Sequence, residues 1–268
     1  MNAPVASTCP AAADAGATDP RSLSVVIIAR NEAARIGRCI ASVDFATEVI
    51  VLDGGSTDDT VAIARAAGAR VEVAADWPGF GAQKNRALAL ARCAWILSLD
   101  ADEWVDAALA AEIGAVLAQP SPAPVYRMPR RSRYCGRVMR HGGWHPDYVT
   151  RLWQRGKARF SDDLVHERVL SEGGKPAPLS APLDHDAFEN FEQVLAKLNR
   201  YSSDGAAMMH ARGAKGSVGR ALLHGGWTFF RTYVLRRGFL DGRHGLLLAI
   251  SNAEGSFYRY LKLMHLER

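Results

Sequence analysis

The sequence predicts an α/β protein with a mostly parallel sheet flanked by helices. Short apolar runs rich in β-branched residues alternate with stretches whose apolar residues have helical spacing. Three polar clusters each follow one of these apolar runs directly. Because strands that alternate with helices form βαβ units with right-handed crossovers, this order favours parallel pairing of the strands.

The elements can be assigned in order over the first 120 residues. Apolar runs, which are typical of strands buried on both faces, occur at 23–29, 48–52 and 95–99, and a further strand is expected at 70–73. Helical spacing predicts helices over 31–43, 57–67, 83–92 and 106–117.

The Pro-rich segment 119–124 ends this alternation, and the chain beyond it is basic, aromatic and irregular. Strand-like pieces are expected at 125–128, 149–153 and 164–170, and helices over 188–212 and 218–237. We therefore expect four regions, which are a disordered tail over 1–21, an α/β half over 22–120, a second half over 121–187 and a helical part over 188–268.

The polar clusters are Arg30-Asn31-Glu32, the segment from Asp53 to Thr60, and Asp100-Ala101-Asp102-Glu103. Ligands of open α/β sheets bind at the carboxyl ends of the strands, so we expect the clusters to meet at one edge. Adjacent carboxylates repel one another, and Mg²⁺ typically takes one or two of them together with phosphate oxygens. The third cluster thus indicates a site for a metal and a diphosphate, with a polar turn as the alternative. For the segment after Asp53, the alternative is a turn that caps a helix.

Basic charge is concentrated in the second half of the chain. The net charge is +5, yet residues 121–168 hold eleven Lys and Arg against four acids, and residues 210–268 hold ten against three. This pattern favours an anionic partner such as a phospholipid surface, a phosphorylated glycolipid or a nucleic acid, with a solvated basic surface as the alternative. The four scattered cysteines fit a reducing cytosol. Residues 1–21 do not resemble a secretory signal, and no apolar run is long enough for a membrane span.

Several other chemistries lack their motifs. The histidines show no ligand pattern for zinc, and Gly79-Phe-Gly81 is too short for a dinucleotide fingerprint. The sequence also contains no phosphate loop with a Gly-Lys-Ser/Thr ending and no Gly-x-Ser-x-Gly elbow.

Three segments together resemble the landmark segments of family 2 glycosyltransferases, which have the GT-A fold. These are Ser24-Val-Val-Ile-Ile-Ala-Arg-Asn-Glu32, Val51-Leu-Asp-Gly-Gly-Ser-Thr-Asp58 and Leu97-Ser-Leu-Asp-Ala-Asp-Glu103. More narrowly, Trp77-Pro-Gly-Phe-Gly-Ala-Gln-Lys-Asn85 and Arg237-Gly-Phe-Leu-Asp-Gly242 are similar to the bacterial lipopolysaccharide core glucosyltransferases of that family. The resemblance makes 22–120 the nucleotide-sugar-binding half of a GT-A domain and 121–187 its acceptor-side half.

The resemblance implies an inverting transfer from a nucleotide-sugar, with UDP as the expected nucleotide. Asp53 would contact the uracil or ribose, Asp100 the ribose or the metal shell, and Asp102 would bind Mg²⁺ or Mn²⁺ on the diphosphate. Arg30, Glu32 and Ser56 are further expected donor-binding residues. The chain departs from the pattern at one position, because many members carry a second acid where Gly54 follows Asp53.

Two further residue types are needed for this chemistry. Lys84 is placed where a cation can approach the diphosphate, and its alternative is an exposed helix lysine. A carboxylate must take the proton of the acceptor hydroxyl. The candidates beyond the Pro-rich break are Asp147, Asp162, Asp163 and Glu167. The resemblance favours Glu167, which follows a short apolar piece as the family's base usually does, with Asp163 second.

The basic half then fits a lipid-linked acceptor, since Arg pairs well with phosphate. The resemblance to the core glucosyltransferases implies a heptose of the lipopolysaccharide inner core as the acceptor and glucose as the sugar. The 218–237 helix and the apolar residues after it are expected to lie on the inner face of the bacterial cytoplasmic membrane, unless they pack in the core. The protein itself is expected to be cytoplasmic.

Three alternatives remain at this point. The first is transfer to another lipid or polysaccharide acceptor. The second is a sugar-nucleotide pyrophosphorylase, which would carry a Gly-rich basic loop where Arg30-Asn31-Glu32 stands. The third is a non-catalytic binder of anionic polymers, although the presence of both Asp100 and Asp102 disfavours it and no nucleic-acid partner is expected.

Overall fold

The structure is a computed structural model that describes residues 19–161, 167–171 and 174–266. The tail expected over 1–21 therefore lies almost entirely outside the described residues, as does Asp163. The chain divides into two compact units. The first comprises Met1–Ala101, Ile113–Tyr126 and Arg151–Ala177, and the second comprises Asp102–Glu112, Arg127–Thr150 and Pro178–Arg268.

Strands and helices alternate up to residue 117, in the order β1 (Leu23–Ala29), α1 (Ile36–Ala41), β2 (Glu48–Asp53), α2 (Thr60–Ala66), β3 (Arg70–Val73), α3 (Phe80–Leu90), β4 (Trp95–Asp100), β5 (Glu103–Trp104) and α4 (Ala107–Leu117). Strands then predominate, namely β6 (Val125–Tyr134), β7 (Arg137–Val138), β8 (Tyr148–Gln154), β9 (Ala158–Phe160), β10 (Val169–Ser171), β11 (Ala177–Pro178) and β12 (Leu183–Phe188). The chain ends in helices α5 (Phe191–Ala211), α6 (Val218–Phe230) and α7 (Gly242–Leu266), with a π-helical turn at Arg231–Leu235 and a 3₁₀ turn at Gly238–Asp241.

The first unit contains a parallel sheet with one antiparallel strand. β1 pairs in parallel with both β2 and β4, β3 pairs in parallel with β2, and β8 runs antiparallel to β4. All seven residues of β1 are buried, as its continuous apolar run predicts. Trp153 packs edge-on against Phe160 in the core beside the sheet, with ring centroids 5.8 Å apart. The predicted α/β class with a mostly parallel sheet flanked by helices is thereby confirmed.

In the second unit β12 pairs in parallel with β6 and antiparallel with β5. β6 and β7 form a hairpin whose two turn residues, Cys135 and Gly136, both have positive φ. This is the combination that a two-residue hairpin turn favours. A small core joins these strands to the C-terminal helices through Tyr134, Met139, Val194 and Leu248.

Several boundaries differ from those that the sequence predicts. α2 begins at Thr60 rather than at residue 57, because the side chain of Ser56 and the backbone of Thr57 bond to Asn31 instead of starting the helix. α6 ends at Phe230, where a π-helical turn takes over. The 25-residue helix α7 was not predicted, since only its apolar run 246–250 stands out in the sequence.

The strand-like piece expected at 164–170 corresponds to β10 at Val169–Ser171, and residues 162–166 lie outside the described part of the chain. Within the described residues, no helix combines the length and the apolar character needed to cross a bilayer.

Candidate functional site

In the first unit, the polar clusters that follow β1 and β2 lie side by side. Ala29 at the end of β1 is in register with Asp53 at the end of β2, so both loops begin at the same level of the sheet. The side chain of Asn31 accepts a hydrogen bond from the backbone N–H of Thr57 at 2.8 Å, and the N–H of Asn31 donates to Ser56 Oγ at 2.8 Å. These reciprocal bonds hold the two loops together although Asn31 has a φ of +58°.

Asp53 and Ser56 are brought together inside their own turn. Asp53 is only 1 % exposed, and its Oδ2 accepts hydrogen bonds from the N–H groups of Gly55 at 2.9 Å and Ser56 at 2.8 Å. Its Oδ1 accepts from Ser56 Oγ. The carboxylate of Asp53 thus holds the turn together. Asp53 does not cap α2, so the alternative of a helix-capping turn applies to the turn but not to the cap. The nucleobase contact of Asp53 stays a prediction.

The departure at Gly54 has a steric explanation. A Cβ at this position would lie 2.5 Å from ring atoms of Trp77, so no side chain fits while that ring is in place. Trp77 in turn packs edge-on against Phe80 at the start of α3, with ring centroids 5.2 Å apart. The aromatic side chain therefore occupies the space into which an acidic side chain at position 54 would project.

Arg30 and Glu32 follow β1 directly. Arg30 is exposed. The N–H of Glu32 donates to Thr60 Oγ1 at 2.8 Å, and the carboxylate of Glu32 lies 3.2 Å from Arg35 Nη1. The backbone of this cluster is therefore tied to the start of α2, and its two charged side chains remain predicted donor contacts.

The first unit holds a buried lysine between two carboxylates. Lys84 on α3 is 4 % exposed, and its Nζ lies 2.7 Å from Asp100 Oδ1 and 2.9 Å from Glu167 Oε1. The alternative of an exposed helix lysine is therefore wrong. The structure brings together three predicted site residues that are separated by 16 and 67 positions in the chain.

Asp100 lies between two cations, because Arg151 on β8 pairs with its second oxygen. Burial alone would raise the pKa of Asp100. The charges of Arg151 and Lys84, and the hydrogen bonds that both donate, outweigh burial and hold the pKa of this carboxyl far below its usual range. Asp100 is thus ionised at any physiological pH.

Asp102 belongs to the second unit, where it lies close to a histidine. Nε2 of His185 on β12 is 3.5 Å from Asp102 Oδ2, and Nδ1 of His185 is 2.9 Å from Ser132 Oγ. The backbone carbonyl of Asp102 accepts a hydrogen bond from the N–H of Asp186 at 3.0 Å, which fixes the loop against β12. Sequence reasoning missed His185, because its relation to Asp102 spans 83 residues and follows no local motif.

The residues present fit a divalent ion that substrate phosphates help to bind. Among the described residues, no group of three His, Cys, Asp or Glu forms a complete cage. Asp102 and His185 nevertheless offer one carboxylate and one imidazole, and Mg²⁺ sites for phosphate substrates commonly use only one or two protein carboxylates. Asp100 is committed to Lys84 and Arg151, so Asp102 is the better candidate ligand.

Replacing Lys84 tests whether the buried charge cluster supports the fold. We expect Lys84→Met to lower the free energy of unfolding by about 3 kcal/mol, because it leaves Glu167 without its buried cation while Asp100 retains Arg151. Urea denaturation at neutral pH measures this loss.

Arg86→Met is the matched control on the same helix. Arg86 pairs with Asp76 at 2.8 Å, but both side chains are well exposed, and exposed pairs contribute little. Equal losses of unfolding free energy in Lys84→Met and Arg86→Met would contradict a stabilising role of the buried contacts of Lys84.

The chain is similar to known glycosyltransferases. The family model described as glycosyl transferase family 2 matches residues 24–169. The chain is 34 % identical over 261 residues to an uncharacterized glycosyltransferase of Rickettsia felis, covering 90 % of this chain and 89 % of the relative. It is 29 % identical over 251 residues to the lipopolysaccharide core biosynthesis glycosyltransferase LpsC of Rhizobium meliloti, covering 90 % and 91 % of the two chains.

Among solved structures, the chain aligns with glucosyl-3-phosphoglycerate synthase from Mycobacterium tuberculosis in complex with Mn²⁺, UDP and glucosyl-3-phosphoglycerate. The identity is 29 %, the alignment covers 48 % of this chain and 51 % of the other, and the TM-score is 0.35. The family match spans more than half of the chain, and relatives align along nearly its whole length, so this protein belongs to glycosyltransferase family 2.

Proposed function

We propose that this glycosyltransferase moves a sugar, with glucose as the first candidate, from a UDP-sugar to a heptose of the lipopolysaccharide inner core with inversion at the anomeric carbon. The observation that carries the proposal is the buried Lys84 paired with Asp100, which ends β4 two residues before Asp102. The similarity to a lipopolysaccharide core glycosyltransferase along 90 % of the chain supports the choice of acceptor.

The donor is held by groups that follow the strands of the first unit. The loops after β1 and β2 contain Arg30, Glu32 and Ser56, and Asp53 ends β2. We assign binding of the nucleoside to these residues. Asp100 keeps Lys84 in place, and the ammonium group stabilises negative charge that develops on the departing diphosphate. When bound by Asp102 and His185, Mg²⁺ or Mn²⁺ would supply Lewis-acid stabilisation of charge on phosphate oxygens.

We assign the general base to Glu167, with Asp163 as the second candidate. The bond from Lys84 to Glu167 Oε1 orients this carboxylate. Its second oxygen, Oε2, is then the atom that takes the proton of the acceptor hydroxyl as the new glycosidic bond forms. Holding donor and acceptor in this arrangement lowers the entropic barrier to their reaction.

The C-terminal helices supply the surface that we assign to the membrane. Large apolar side chains of α6 and the following turns are exposed, including Leu223 at 70 %, Trp227 at 52 % and Leu240 at 54 %. We call this surface the apolar face, and it comprises Leu222, Leu223, Trp227, Phe230, Val234, Leu235, Phe239, Leu240, Leu246, Leu247 and Ile250. Exposed arginines at 220, 237 and 243 neighbour it in sequence and would favour an anionic bilayer on the cytoplasmic side.

The reaction class is tested by UDP release from a panel of UDP-sugars, with EDTA and with Mg²⁺ or Mn²⁺ added back. We expect metal-dependent release from one sugar, and a loss of at least about 100-fold in Asp102→Ala. Asp44→Ala, which removes an exposed acid, is the control and should retain full activity. If no donor is turned over and no metal-dependent UDP binding is seen, the proposal fails and an anionic-polymer binder becomes the better interpretation.

The base is tested by transfer of labelled sugar to deep-rough lipopolysaccharide that ends in heptose. Glu167→Gln should reduce transfer by about 10²–10⁴-fold, since it removes the proton acceptor. UDP binding by this variant, measured by calorimetry, should stay close to that of the wild type. Glu72→Gln removes an exposed glutamate of the first unit and is the matched control. A large loss in Asp163→Asn with near-normal Glu167→Gln would reassign the base to Asp163.

Membrane binding is tested by sedimentation with phosphatidylglycerol vesicles. The double substitution of Leu223 and Trp227 by serine should weaken binding by at least tenfold, because burial of each large apolar side chain contributes about 1.5–3 kcal/mol. Leu195→Ser changes an exposed leucine of α5 outside the apolar face and should have little effect. Binding that is insensitive to both the double substitution and salt would refute the assignment.

A further inference from the structure

The second unit contains a cavity of about 450 Å³ that the proposed chemistry does not use. Its walls come from α5, α6, the turn at Arg231–Leu235 and α7, and Tyr134, Trp144 and Phe188 also line it. The volume lies within the range of sites that bind small molecules, which is roughly 300–1,000 Å³.

The cavity is lined by four cationic side chains, which are Lys197, Arg231, Arg236 and Arg259. None of the described residues that line it is acidic, and within the described part of the chain no ion pair joins these four side chains to a carboxylate. Four like charges around one cavity repel one another, and a bound anion would offset that repulsion. Arginine is also the side chain that pairs most specifically with phosphate.

The surrounding chain leaves room for these cations. A Cβ at Gly205 on α5 would lie 2.8 Å from Arg259 Nε, so a larger residue there would displace the guanidinium group. A Cβ at Gly143 would likewise clash with the side chain of Arg236, so the glycine leaves room for that side chain. Nζ of Lys197 lies 4.9 Å from the centre of the Phe188 ring, which holds the ammonium group beside the aromatic wall.

An aromatic cluster forms another part of the lining. Tyr134 is fully buried, and its ring meets Trp144 and Phe188 edge-on at centroid distances of 5.8 and 5.7 Å. Tyr134 also hydrogen-bonds to Ser251 of α7 at 2.9 Å, so this wall is fixed to the helices. A cavity of this size with apolar rings and neutral polar side chains accommodates more than a phosphate ion alone.

We propose that this cavity binds a phosphorylated sugar, with the phosphate held by the arginines and the sugar ring packed against the aromatic side chains. The identity of the ligand rests on the proposed function. Where that function holds, the ligand is a phosphorylated part of the glycolipid acceptor. The cavity is then a recognition site for the acceptor rather than a place where bonds are made.

Calorimetry with glucose 6-phosphate, glucose and inorganic phosphate tests the proposal. We expect glucose 6-phosphate to bind at least tenfold more tightly than inorganic phosphate, and glucose to show no measurable binding. Arg231→Gln and Arg259→Gln should each weaken binding of glucose 6-phosphate by at least tenfold. Arg212→Gln removes the same charge from an exposed position outside the lining and should leave the affinity unchanged.

The source of the ligand is distinguished with phosphatidylcholine vesicles that carry phosphatidylinositol 4-phosphate. If the protein is retained on these vesicles and soluble glucose 6-phosphate releases it, the ligand is a lipid-borne sugar phosphate. If the protein binds glucose 6-phosphate but is not retained on the vesicles, the ligand is a soluble sugar phosphate. Equal affinity for phosphate and glucose 6-phosphate, or equal losses in all three arginine variants, would overturn the proposal. Circular dichroism of each variant checks folding, and Arg231→Gln, whose side chain is exposed, serves if Arg259→Gln does not fold.

Asp102→Ala separates this inference from the proposed function. It should abolish UDP release yet bind glucose 6-phosphate like the wild type. If UDP release occurs in the wild type but glucose 6-phosphate does not bind, only the cavity proposal fails. If glucose 6-phosphate binds but no UDP-sugar is turned over, only the proposed reaction fails.

Discussion

The contact on which the site in the first unit most depends is the ion pair between Lys84 and Asp100. Lys84 is almost completely buried, and a buried ammonium group without a counter-charge is strongly unfavourable. Asp100 on β4 and Glu167 supply that charge, and Arg151 on β8 balances the second oxygen of Asp100. This one set of contacts links α3, β4, β8 and the segment at Glu167. It also places a cation directly beside the strand end that leads into Asp102.

The loops after β1 and β2 are held by hydrogen bonds rather than by buried ion pairs. Asp53 and Asn31 accept hydrogen bonds from backbone N–H groups, so the two loops are held largely by side chain to backbone bonds. The ring of Trp77 then fills the space beside Gly54. These bonds fix the geometry of polar loops that are not buried as a whole, and such preorganised polar groups suit the nucleoside contact that we propose for them.

The second unit combines two features that bear on a binding partner. Its helices carry an exposed apolar face, and they help to enclose a cavity lined by four cations and four aromatic rings. Both features suit an amphiphilic, phosphorylated partner, since one offers apolar surface and the other positive charge. The proposals for the membrane and for the sugar phosphate therefore arise from separate observations that favour the same chemical class of molecule.

The sequence by itself determined the α/β class, the family and, apart from the short strand β5, the order of strands and helices up to residue 117. These follow from local information, because continuous apolar runs, helical spacing and short motifs are readable along the chain. Tertiary structure decided which residues far apart in the sequence contact one another. The sequence leaves open whether Lys84 is a site cation or an exposed helix lysine, and the contacts with Asp100 and Glu167 exclude exposure. His185 has no significance until β12 places it near Asp102. The helix starts also depended on tertiary contacts, since Ser56 and Thr57 bond to the neighbouring loop rather than to α2. Electrostatic pairing and hydrogen bonding across such separations leave no periodic signal in a sequence, and for that reason only the folded chain shows them.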